Sequence, residues 1–160
     1  MGFNLKHFLF RAFREVLLYH HNSLEFRAKL FAALIAANEK YTECELAIVQ
    51  EAGMNIYKDE DRANTLRLTV EEYLDKVVDD NGLAIDELIE TILIDLKNYP
   101  RYADKISLEA YQSILECCED ADSKTYQERI IALYKRLKYD NKKRRKGNTT
   151  PPLTPAAQCM

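Results

Sequence analysis

The chain predicts an all-α fold: a compact bundle of about six or seven helices. Three observations carry this. Apolar residues recur every three or four positions along most of its 160 residues. Glycine and proline are scarce, four of each, which disfavours a turn-rich β architecture. Ser/Thr-x-x-Glu signatures precede several apolar stripes, and such pairs satisfy backbone donors at helix starts. Hydrophobic residues make up 47%, enough for a globular core at this length.

Taken in order, Asn4 caps a first helix running to about His20, with Leu5, Phe8, Leu9, Ala12, Phe13, Val16 and Leu17 at helical spacing. Ser23 caps a second, Leu24 to Ala37. Its apolar residues fall on two faces, so it is expected at the centre of the bundle. Thr42 and Glu45 form a capping box for a third helix, with Gly53 as its stop. Thr69 and Glu72 form a second box, ahead of Val70, Tyr73, Leu74, Val77 and Val78. Asn81-Gly82 breaks the chain. Ile85, Leu88, Ile89, Ile92, Leu93 and Leu96 then mark a helix that stops before Pro100. Ser107 opens another, with Leu108, Tyr111, Ile114, Leu115 and Cys118 inward. Thr125 and Glu128 form a third box, opening a final helix with Tyr126, Ile130, Leu133, Tyr134 and Leu137 inward.

Past Tyr139 the composition changes to a basic run, then Gly147, two Thr and three Pro, which predicts a disordered tail. The domain reading is a helical domain over 1–139 (an amphipathic helix at 1–21 and a core at 24–139) followed by a basic tail at 140–160.

The net charge is −3, but residues 140–160 carry +4, leaving −7 for the body. An acidic body argues against a nucleic-acid grip there and leaves the tail as the contact. No apolar run reaches the length of a membrane span, and Lys6, His7, Arg11, Arg14 and Glu15 interrupt the N-terminal stretch. The four cysteines, Cys44, Cys117, Cys118 and Cys159, form no Cys-x-x-Cys pair and read as reduced thiols in the cytoplasm.

No His-Glu-x-x-His, Gly-x-Ser-x-Gly, phosphate-binding glycine loop or dinucleotide fingerprint is present, so no catalytic residue and no organic cofactor is expected. His20 and His21 suit a helix C-terminus. Asp79 and Glu90 stand eleven apart, as the ends of a calcium loop would, but Leu83 and Ala84 occupy positions that need an oxygen ligand and a glycine. The acidic loops read as solvated charge, with Asp120, Asp122 and Glu128 as the alternative, a site for a divalent cation. The interaction surfaces are Phe3, Phe8, Phe10, Arg11 and Arg14 of the first helix, and Lys142, Lys143, Arg144, Arg145 and Lys146 of the tail. The first suits a partner helix or an acidic membrane surface, the second phosphates of nucleic acid or anionic lipid.

Two regions share one plan, an apolar helix, a polar loop and a helix start: Leu30 to Gln50 and Ile114 to Lys135. Ala37-Asn38-Glu39-Lys40-Tyr41-Thr42-Glu43-Cys44-Glu45, and Ala121-Asp122-Ser123-Lys124-Thr125 with Glu128, resemble in spacing the motif of the TerB-like family, named for tellurite-resistance proteins. In that family a helix ends in Ala-Asp-Gly and the next opens with Glu. Here Asn38-Glu39 and Asp122-Ser123 stand where the family has Asp-Gly. The resemblance covers about Leu24 to Tyr139. It implies an all-helical, non-enzymatic interaction or scaffold module linked to stress or the cell envelope, with acidic loops as cation sites and a protein partner.

Overall fold

The computed structural model describes residues 22–78 and 85–147, which form α1 (Asn22–Ala36), α2 (Glu43–Tyr57), α3 (Glu60–Val78), α4 (Ile85–Asn98), a 3₁₀ segment (Pro100–Lys105), α5 (Leu108–Glu116) and α6 (Ala121–Gly147). No strand occurs among the described residues. The expected N-terminal helix, with Phe3, Phe8, Phe10, Arg11 and Arg14, and the expected break at Asn81-Gly82 fall outside the described residues.

α1 is the axis of the bundle, as its two apolar faces predict. Phe26, Ala28, Leu30 and every residue from Ala32 to Ile35 are wholly buried, and α1 touches α3, α4, the 3₁₀ segment, α5 and α6. Such a helix gains its stability from packing on all sides, not from one amphipathic stripe. Phe26 meets Tyr102 of the 3₁₀ segment, and Phe31 meets Tyr111, which meets Tyr134 edge-on. Of four residues expected inside, Phe31, Leu74 and Ile130 are buried and Ile89 is half-buried against the core.

The Thr42–Glu45 capping box forms as expected. Several expectations fail locally. Ser23, expected as a cap, lies inside α1, which already includes Asn22. Gly53 does not stop α2, which continues to Tyr57 and ends at Lys58 in the left-handed region (φ 53°). A Cβ on Gly53 would lie 2.8 Å from the Ala63 Cα, so this glycine lets α2 and α3 cross closely. Thr69 sits inside α3, its hydroxyl donating to the Thr65 carbonyl oxygen at 2.6 Å, while Asp59 caps the helix by accepting from the Asp61 amide at 2.9 Å. Thr125 likewise donates back to the Ala121 carbonyl oxygen, and Asp120 is the cap. In α6 the buried stripe is Gln127, Ile130, Ile131, Tyr134 and Asn141, whereas Tyr126 is exposed; Gln127 is held inside by donating to the Leu34 carbonyl oxygen.

Leu93 and Ile94 are exposed on α4, so its inward stripe is narrower than expected: Leu88, Ile92 and Leu96. The turn after Pro100 supplies unforeseen core in Tyr102, Ala103 and Ile106. The tail boundary is also corrected. The basic run continues α6 through Gly147, because Lys and Arg are good helix formers and cations suit a helix C-terminus.

Candidate functional site

α6 carries the strongest charge feature of the chain. From Arg129 to Lys146 nine cations face one acid, Asp140, a net of +8 that leaves −11 for the rest. Its inward stripe ends with Asn141, a buried amide that donates to the Leu137 carbonyl oxygen. Beyond Tyr139, itself exposed, no apolar residue follows before Gly147.

Two polar contacts fasten this end to the body. Lys138 donates to the Ile106 carbonyl oxygen at 2.7 Å, and Arg145 pairs with Asp104 at 2.7 Å. The Arg145 bond holds the Asp104 carboxyl below its ordinary pKa, and nearby Lys142 and Lys105 add to the effect. Several cations therefore converge on one exposed carboxylate, while Lys142, Lys143, Arg144 and Lys146 face solvent. This puts the predicted basic residues on a helix, where their spacing is set by backbone geometry.

Beside that helix, the start of α5 and the 3₁₀ segment border an open cleft of about 450 Å³. Arg27 of α1, Lys105 and Lys138 line it, with Ile56 and Leu108 as apolar wall. A second depression of about 220 Å³, between α2 and α5, adjoins it through Ile56, Ser107 and Glu109. Sequence reading singled out none of these cations. The available signal was their setting: Arg27 and Lys29 are the only charged residues between Phe26 and Ala37, in a helix otherwise destined for burial.

The second loop expected from the sequence, Asp120 to Lys124, is instead mostly the start of α6. The turns that precede α2 and α6 are joined by a disulfide between Cys44, at the start of α2, and Cys117, at the end of α5 (Cα–Cα 5.9 Å). This corrects the reduced-thiol reading for two of the four cysteines. Cys118 is free and buried, and Cys159 lies outside the described residues. In the first turn Glu45 is fully buried. It accepts from the Asn38 side-chain amide at 2.8 Å, the Thr42 amide at 2.8 Å and the Thr42 hydroxyl at 3.0 Å.

At the second turn the Asp120 carboxylate accepts from the Ser123 amide and hydroxyl at 2.9 and 2.8 Å. Those bonds, the amide's first, lower its pKa. The carboxylate is spent on capping α6. Asp122 and Glu128 are exposed, and no group of three or more His, Cys, Asp or Glu among the described residues is placed to hold a metal. The structure thus does not bring Asp120, Asp122 and Glu128 together as a cation site. Among the described residues no helix is long and apolar enough to cross a membrane.

Compared with protein-family models, with curated proteins and with solved structures, the chain matches none.

Proposed function

We propose that the chain is a non-enzymatic helical interaction module whose basic helix, the C-terminal half of α6, docks on the phosphate backbone of a nucleic acid. The observation that carries this reading is the net charge of +8 between Arg129 and Lys146, held on one continuous helix of an otherwise acidic chain. Cations on a preformed helix lose less conformational freedom on binding than the same cations on a floppy tail. Charge segregation also orients the approach, since a polyanion is attracted to α6 and repelled elsewhere. Past Tyr139 the helix has no apolar side to sink into lipid, which favours phosphate contacts in water over an interfacial membrane helix.

The TerB-like resemblance belongs to the same reading as a statement of kinship; its first motif, Ala37–Glu45, falls on the turn between α1 and α2, whereas Ala121–Thr125 of the second lies inside the start of α6. The reading places the chain in the cytoplasm. The Cys44–Cys117 bond weighs against a steadily reducing compartment, and alkylation of the thiols in intact cells decides the point.

The test is anisotropy of labelled DNA and RNA oligonucleotides, with anionic vesicles as a parallel arm. Binding should weaken steeply with salt, as counterion release requires. The triple variant K142E/K143E/R144E should bind at least about tenfold more weakly. Salt-independent binding, an unaffected triple variant, or binding to vesicles alone would overturn the nucleic-acid reading.

A further inference from the structure

Three charged side chains leave α1 between Leu24 and Leu30, and two find partners of matching chemistry. Glu25 accepts from the Tyr73 hydroxyl at 2.6 Å, and Lys29 pairs with Asp95 at 2.7 Å. Arg27 differs. Its Nη1 donates to the neutral Tyr57 hydroxyl at 3.1 Å, and its guanidinium carbon lies 5.3 Å from the Tyr57 ring centre. Its Nε is buried without a hydrogen-bond partner, and none of the ion pairs found among the described residues includes it. A part-buried cation with no paired carboxylate is costly, because desolvation is not offset by a bonded opposite charge.

This cation lines the 450 Å³ cleft, with Lys105 and Lys138 beside it. The cleft's one other acid apart from Glu109 is Asp104, already paired with Arg145. Ser107 also lines it, and although it stands at the N-cap of α5 its hydroxyl makes no capping bond. The first turn of α5 therefore presents amide donors and a positive dipole end to the same space. The volume lies in the range of small-molecule sites.

We propose that this cleft binds the phosphate group of a small phosphorylated ligand, with Arg27 as the central cation, Lys105 and Lys138 flanking it, and the Ser107 hydroxyl as an added donor. Ile56 and Leu108 would pack against the ligand's body. This site is separate in its residues from the exposed run Lys142–Arg144, and its fate does not decide that of the nucleic-acid surface.

The experiment is amide and arginine Nε–H NMR of the full chain, titrated with inorganic phosphate, with adenosine monophosphate and with an oligonucleotide, against sodium chloride of equal ionic strength. Saturable shifts at the Ser107, Leu108 and Glu109 amides and at the Arg27 Nε–H are expected with the first two. They should persist in K142E/K143E/R144E. Arg27→Gln should weaken phosphate binding about tenfold or more, the scale of losing a charge-assisted contact. Should Arg27→Gln not fold, Lys105→Gln with Lys138→Gln serves in its place and should weaken phosphate binding likewise. Shifts matched by chloride, unchanged affinity in the cleft variants, or shifts with the oligonucleotide alone would overturn the proposal.

Discussion

The hydroxyl of Tyr134 donates to the carbonyl oxygen of Leu30 at 2.7 Å, joining the middle of α6 to the middle of α1 inside the core. One turn along α1 and two turns back along α6, Gln127 donates to the Leu34 carbonyl oxygen at 3.1 Å. These polar contacts fix the rotation of α6 about its axis, which the apolar stripe alone leaves loose. Tyr134→Phe keeps the ring and loses the bond. It should cost about 1 kcal/mol in urea denaturation, with an unchanged slope.

Glu45 gathers the turn between α1 and α2. Glu45→Ala strands the buried Asn38 side-chain amide and takes the acceptor from the backbone donor of Thr42, an exposed residue. The expected loss is about 2–3 kcal/mol, larger than for an ordinary cap because two donors lose their acceptor. Thermal melts of Glu45→Ala and Glu45→Gln should differ, the glutamine keeping one acceptor oxygen.

Gly53→Ala tests the close crossing of α2 and α3. Alanine is the better helix former by up to about 1 kcal/mol. The new methyl would meet Ala63 backbone at 2.8 Å, however, and the helices must part. Overpacking should win, with a net loss of about 1–2 kcal/mol. A more stable variant in denaturant titration would show that this crossing has slack.

Tyr111 and Tyr134 have their phenol pKa raised above the ordinary value by burial, and Tyr41 and Tyr102 shift the same way for the same first cause. In the unfolded chain these phenols ionise near pH 10. The folded state therefore keeps protons that the unfolded state releases. Stability contributed by these groups is full below about pH 10 and falls as pH rises beyond it. Melting temperature should drop steeply in that window, and tyrosinate absorbance should rise together with unfolding. Tyr111→Phe combined with Tyr134→Phe should flatten the drop.

The Cys44–Cys117 bond closes a sequence separation of 73 residues. In the chain-entropy account, such a loop restricts the unfolded state by about 4 kcal/mol. Cys44 is exposed, so a mild reductant has access. Reduction, or the double variant Cys44→Ser with Cys117→Ser, should lower denaturant stability by about 2–4 kcal/mol while leaving the helical circular dichroism of the fold intact.

The helical fold was legible because burial on α3, α5 and the body of α6 follows the three-to-four periodicity of apolar residues. Helix starts were less so. Thr69 and Thr125 satisfy the same local pattern as Thr42, but Asp59 and Asp120 lie upstream and start the helices first. Gly53 looked like a stop because sequence does not reveal that Ala63 lies against it. Gln127 and Asn141 looked like surface because their buried hydrogen bonds depend on the packed arrangement of the helices. At the candidate site the basic run was visible, but its attachment to Asp104, on a distant segment, was not. The Arg27 cleft was hidden altogether, since Arg27, Lys105 and Lys138 come from three separate elements.

The bridge between Cys44 and Cys117 makes the molecule's middle a covalent ring. A single protease cut anywhere from Glu45 to Glu116 severs the main chain without releasing a fragment. On a gel the nicked protein should run as one species until thiol is added, then part into two. Integrity of the backbone and integrity of the molecule are thus different properties here, and a denaturing gel without reductant reports only the second.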